Sequence, residues 1–259
     1  MNNDWIVKLF GLPERASVHA AELDNMMALI HLFMLILFVG WSIFFVITLF
    51  KFREKKHPKA SYEGIQHHMS NYVEFAVVIV EAILLIGLAF PLWSQRVGTF
   101  PAEKDSTIVN VVAEQFAWNI HYPGKDKVFG KRDINLMSPQ NPLGLDMTDP
   151  NAADDFVSPN QMHVPINKPV LAYISSKDVI HSFALREMRS LQDATPGLET
   201  PLWFTPNKEG KYEIACAQLC GLGHYRMKGS LTVESEEKYQ AWVNEQSPEP
   251  VVKEVKMNE

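Results

Sequence analysis

Cys216-Ala-Gln-Leu-Cys220-Gly-Leu-Gly-His224-Tyr-Arg-Met227 gathers both cysteines of the chain, one histidine and one methionine into twelve residues. Thiolate, imidazole and thioether together are the donor set of a soft or borderline metal, copper above all. Zinc normally takes four strong ligands, and methionine is not one of them. Gly221 and Gly223 let the backbone turn so that residues on either side face one centre. A disulfide between the two cysteines, with Met227 as core filling, is the competing reading, and an oxidising compartment would favour it. His224 and Met227 at these offsets tip the choice to a metal, between expected strands at 210–215 and 230–234.

Working outward, Asp178-Val-Ile-His181-Ser-Phe183 stands upstream, with His181 35 residues before Cys216, and Asp193-Ala-Thr-Pro196-Gly197 follows it. Cys-x3-Cys-x3-His-x2-Met with these two stretches resembles the CuA domain of subunit II of the haem–copper cytochrome c oxidases. The resemblance implies two copper ions bridged by Cys216 and Cys220, with His181 and His224 as terminal ligands. Met227 and the backbone carbonyl of Gln218 would be the weaker ligands. It also implies a cupredoxin-like barrel that takes electrons one at a time from a separate cytochrome c. They would pass to the haem of subunit I, where a further copper sits and O2 is reduced to water with proton pumping. Oxidase subunit I, and with it subunit III, would be the partners.

The chain departs from the family pattern at several places. The aromatic stretch at which electrons arrive is usually Gln-Trp-x-Trp, and here it is Gln115-Phe116-Ala117-Trp118. Phe116 takes the usual tryptophan position, with Trp118 a second candidate beside it. A glutamate at the Gln218 position usually reaches a Mg2+ ion shared with subunit I. The neutral amide of Gln218 is a weaker ligand, which puts that site in doubt. Leu191 stands for a usual lysine and Arg186 for a usual proline. His19, His31, His57, His67, His68, His121 and His163 lack comparable context and are read as non-ligands.

The 259 residues divide sharply in hydropathy. Residues 1–24 are mixed and read as a retained external segment, without a small-residue cleavage site before the first apolar run. Apolar runs at about 26–50 and 72–93 are each long enough to cross a bilayer, for which about 20 residues suffice. Between them, residues 51–71 carry Lys51, Arg53, Lys55, Lys56 and Lys59 against Glu54 and Glu63, an excess that belongs on the cytoplasmic side. The hairpin 25–93 would then leave both termini in the periplasm, anchored in lipid at a bacterial inner membrane. Glu74 and Glu81 lie on nearly one face of the second helix, and a carboxylate there is costly enough to suggest function. Asn71-Tyr-Val-Glu74-Phe resembles the family's glutamate at the mouth of a proton-uptake path in subunit I. Glu81 has no such counterpart.

From residue 94 to 234 short β-rich runs alternate with turns, as in a Greek-key sandwich or barrel. Residues 125–159, rich in Pro, Asn and Asp, read as a surface excursion from that domain. Residues 235–259 read as a short helix and a tail. The expected architecture is α+β by content: a two-helix transmembrane hairpin followed by an all-β cupredoxin-like Greek-key barrel. A net charge of −6 excludes a nucleic-acid-binding surface as the main function. No Cys-x-x-Cys-His is present, so any cytochrome donor is a separate protein. A quinol-oxidising relative would lack the two cysteines. The CuA subunit of a nitric or nitrous oxide reductase and a membrane-anchored copper carrier remain the alternatives.

Overall fold

A computed structural model describes residues 4–56, 58–59, 62 and 68–247. The chain forms two compact units, Met1–Leu12 with Ala21–Thr99, and Pro13–Ala20 with Phe100–Glu259. His57, His67, Glu63 and the tail from 248 lie outside the described residues.

The first unit is helical: α1 (Asp4–Phe10), α2 (Ala20–Lys51) and α3 (Met69–Val97). Leu and Met in α2 and α3 lose little side-chain freedom on entering a helix. Leu32, Phe38, Phe44, Phe75 and Ile86 are all exposed. A helix that is apolar on every side needs an apolar surround, so these two helices anchor the chain in a membrane. Helix α2 starts six residues before the expected position 26, because Ala20-Ala-Glu22-Leu carries the helix back and Glu22 favours its positive N-terminal end. Helix α3 likewise overruns its expected end at 93. Ile83–Ala89 is wound as a π-helix just before Pro91, where a ring without an N–H would otherwise crowd the preceding carbonyl. His31 is satisfied locally, its Nδ1 lying 2.8 Å from the Met27 carbonyl and its ring edge-on to Phe10.

The second unit is a pair of five-stranded sheets closed over one apolar core. The strands are β1 (Thr107–Glu114), β2 (Ala117–Tyr122), β3 (Phe156–Pro159), β4 (Gln161–Pro165) and β5 (Val170–Ser176), followed by β6 (His181–Leu185), β7 (Ser190–Ala194), β8 (Thr200–Phe204), β9 (Gly210–Cys216) and β10 (Lys228–Glu234). One sheet runs β3-β2-β1-β5-β8 and the other β4-β10-β9-β6-β7. β1 pairs with β5 and β10 with β4 in parallel, and every other pairing is antiparallel. This is the Greek-key, cupredoxin-like barrel expected from the sequence. Trp118, Phe183, Phe204, Ile120 and Ile214 are fully buried between the sheets. Truncating one of the aromatics to alanine would cost about 3–5 kcal/mol. Helix α4 (Glu236–Gln246) packs Tyr239 and Val243 onto this core, its first turn capped by Ser235.

The stretch before α2, expected as a separate external segment, is tied into the β-domain. Ala16 and Ser17 are buried, and Ala16 N–H donates to Glu187 O (2.9 Å), Val18 N–H to Thr205 O (3.0 Å) and Asn207 N–H to Ala16 O (3.0 Å). The Ser17 hydroxyl donates to Met188 O at 2.8 Å, so residues 13–20 belong to the β-domain. No periodicity marks such a strap, because its hydrogen bonds go to distant strands.

The 125–159 excursion is also less superficial than its composition suggests. Its last residues form edge strand β3, and Leu143 and Leu145 make a small core with Val112. Its ends are pinned by two buried carboxylates. Asp154 accepts from the N–H groups of Lys125 (2.5 Å) and Asp126 (3.0 Å). Asp155 accepts from Gly130 N–H and meets Nε2 of the fully buried His121, each at 2.8 Å. His121 thus has a structural partner, as does His163, whose Nδ1 lies 2.8 Å from Glu234.

Candidate metal centre

Two segments far apart in sequence meet because β6 and β9 are neighbours, with Phe183 opposite Cys216. That register brings the start of β6, where His181 stands, beside the loop that follows β9. Ala217 N–H donates to Ser182 O (3.0 Å) and Cys216 N–H to Met227 O (3.3 Å), which closes the loop on itself. A short 3-10 turn, His224–Arg226, returns the chain to β10.

Glycine is required twice in this loop. Gly221 sits at φ +133, and a Cβ at Gly223 would lie 2.4 Å from the ring of Phe116. The Phe116 ring therefore rests directly on the loop, and Arg226 covers it at 5.8 Å. Gln115 fastens the same region, its side-chain amide donating to Cys220 O at 2.7 Å.

Inside the loop the donor atoms converge. Sγ of Cys216 and Cys220 are 3.8 Å apart as free thiols, and the ligand atoms of His181, Cys216 and Cys220 all lie within 4.8 Å of one another. Met227 Sδ is 3.7 Å from Cys220 Sγ and 3.1 Å from His181 Nδ1. His224 Nδ1 is 3.6 Å from Cys220 Sγ, and the Gln218 carbonyl 3.2 Å from Cys216 Sγ. All six residues singled out from the sequence thus contribute an atom to one cluster. His181, Cys220 and Met227 are buried, whereas His224 is partly open.

The electrostatics suit a cation. Burial, then the hydrogen bond and charge of Cys216, push the Cys220 thiol up to about 11. Two adjacent thiolates are unfavourable unless a metal takes up their charge. His181 turns Nδ1 into the cluster while its Nε2 meets Asp178 at 2.9 Å, an outer carboxylate that orients a ligand ring. Partial burial opposes the charge on Asp178. Hydrogen bonds with His181 and from the N–H groups of Gln115 and Val179 outweigh it and hold the carboxyl below its ordinary pKa. A soft, charged, pre-assembled donor set of this kind fits copper.

The structure separates the two aromatic candidates. Phe116 is half-buried on the loop, but Trp118 is fully buried, its ring 6.1 Å from that of His181 and 5.3 Å from Phe183. Trp118 therefore offers no surface to a donor protein. The bracing by Gln115, from its backbone N–H to Asp178 and its side chain to Cys220, was not legible beforehand. Its only sequence signal was adjacency to Phe116. Glu74 is exposed on α3.

Comparison with known proteins agrees with this geometry. The family described as cytochrome C oxidase subunit II, periplasmic domain, matches residues 107–235. The chain is 36% identical over 211 residues to the alternative cytochrome c oxidase subunit 2 of Bradyrhizobium diazoefficiens, covering 81% of this chain and 74% of that one. It is 30% identical over 227 residues to cytochrome c oxidase subunit 2 of Cereibacter sphaeroides, covering 82% and 73%. Among solved structures, the periplasmic domain of subunit II of cytochrome oxidase from Bradyrhizobium japonicum aligns with a TM-score of 0.42 at 26% identity, over 57% of this chain and 96% of that one. With the ligand cluster and its supporting shell in place, the chain belongs to the cytochrome c oxidase subunit II family.

Proposed function

We propose that this chain is the electron-accepting subunit of a cytochrome c oxidase, holding a dinuclear copper centre on Cys216, Cys220, His181, His224, Met227 and the Gln218 carbonyl. The observation that carries the reading is the convergence of all six donors from two segments joined by the β6–β9 pairing. When bound, the copper pair supplies reversible one-electron storage. The chain's own part is to hold the donors still, so that little rearrangement accompanies a change of charge. Gln115, Asp178 and the two glycines do this by fixing the loop and the His181 ring.

A separate cytochrome c would deliver electrons near Phe116, with Trp118 behind it in the core beside His181. Leu219, Leu222 and Tyr225 on the same loop are 77%, 98% and 86% exposed, an apolar rim suited to seating another protein. Subunit I would then receive the electrons at its haem, and the O2-reducing site lies there. Helices α2 and α3 would cross the bacterial inner membrane with the basic 51–71 loop inside and both termini outside. The hydrogen bonding of residues 13–20 into the β-domain supports this, since they must share its side. An oxidase is favoured over a nitric or nitrous oxide reductase subunit by its relatives, and over a copper carrier by donors drawn from two segments.

The full chain, purified in detergent and loaded with copper, tests the centre. Two bound coppers and a hyperfine pattern from one unpaired electron on two equivalent nuclei are expected, both lost in Cys216→Ser. A single copper, or a signal that survives the substitution, would overturn the dinuclear assignment. For proton uptake through Glu74, the assembled enzyme carrying Glu74→Gln should turn over more slowly with an unchanged copper spectrum. Unaltered turnover would remove Glu74 from the path.

A further inference from the structure

The β-domain contains a second feature that the metal site does not use. A cavity of about 370 Å3 opens where the start of β1, the turn after β2 and helix α4 come together. Four lysines line it: Lys104, Lys125, Lys127 and Lys168. Glu103 is the one acidic residue of its lining, and that carboxylate already accepts the Tyr173 hydroxyl at 2.7 Å.

This concentration runs against the domain as a whole, which has 22 acidic and 17 basic residues from position 94 onward. Lys104, Lys125 and Lys127 form no ion pair among the described residues, and Lys168 has only a long, rim-exposed contact with Glu236 at 3.6 Å. Unneutralised lysines gathered around one cavity repel each other, and an anion relieves that repulsion. The lining also includes Thr107, whose buried hydroxyl has no hydrogen-bond partner. The lining also has an apolar part, Ile108, Tyr239 and Val243. A bare inorganic anion would leave those residues unused.

We propose that this cavity binds an organic phosphate, its phosphoryl oxygens on the four lysines and its organic part against Ile108, Tyr239 and Val243. Such a group could be free in solution, as in a nucleoside diphosphate, or be the headgroup of an anionic phospholipid.

The test is isothermal titration of the full chain in neutral detergent at low salt. The probes are ADP, dihexanoyl phosphatidylglycerol and inorganic phosphate. Binding of either organic probe is expected, and it should weaken by about tenfold or more in Lys104→Gln/Lys125→Gln/Lys127→Gln. Gln240→Trp, which fills the cavity from α4 without changing charge, should abolish binding as well and covers the case in which the triple variant misfolds. Preference for ADP identifies a soluble ligand, and preference for the lipid identifies a headgroup site. No binding of either, equal binding of inorganic phosphate, survival in Gln240→Trp, or equal weakening by the distant Lys211→Gln would overturn the proposal.

Discussion

Two irregular stretches of the β-domain, the 217–227 loop and the 125–159 excursion, are ordered by different chemistry. The metal loop is held by close packing: Gly221 and Gly223 lie under the Phe116 ring, Gln115 clamps Cys220 O, and a 3-10 turn ends it. The excursion is held by carboxylates that satisfy backbone N–H groups. Asp154 caps Lys125 and Asp126, Asp155 takes Gly130 and His121, and Asp149 takes Lys131. Rigidity at the candidate metal site therefore combines close packing with the hydrogen bonds of Gln115 and Asp178, whereas rigidity in the excursion rests mainly on carboxylates that satisfy backbone N–H groups.

The largest test of that contrast is Asp155→Ala. It would leave the fully buried His121 without its partner and strip Gly130 N–H of its acceptor. Leaving a buried hydrogen-bonding group without its partner costs about 1–3 kcal/mol, and two such groups are stranded here. The thermal midpoint should fall by several degrees while the copper spectrum stays unchanged. A spectrum that moves with Asp155 would break the separation between the two regions.

Asp178→Asn comes next. The side chain keeps its shape but loses the charge that orients His181, so copper affinity should drop about 10–100-fold. Competition with a chelator measures this, and an unchanged affinity would show that Asp178 serves the fold alone. The smallest effect is expected of Gly223→Ala. Its Cβ would meet the Phe116 ring at 2.4 Å and force the ring or the loop aside. Overpacking of this kind costs about 1–3 kcal/mol. Broadened copper resonances with full occupancy would mark the loss of steric rigidity. A sharp spectrum would mean that the loop is held by Gln115 rather than by packing.

The candidate ligand set was legible in the sequence because Cys216, Cys220, His224 and Met227 are near neighbours, and soft donors rarely cluster by accident. The same is true of the anchor, since runs as apolar as those in α2 and α3 are stable only in lipid. His181 was identifiable through resemblance, not spacing, because nothing local distinguishes it from His121. The anchoring of the excursion and of the N-terminal strap leaves no local sequence signal, for a common reason. Both are stabilised by groups far away in sequence: Ser17 by Met188, Asp155 by His121, Ala16 by Glu187.

Composition and short-range spacing alone therefore determined the donor chemistry of this protein, its apolar anchor and its β-rich outer domain. Those properties depend on what side chains are and on neighbours within a turn or two. Tertiary structure decided which histidine joins the thiols, how Asp178 and Gln115 brace them, and that four scattered lysines share one cavity. Each of these depends on strand register, which brings residues dozens of positions apart within a few ångströms and leaves no mark on local sequence.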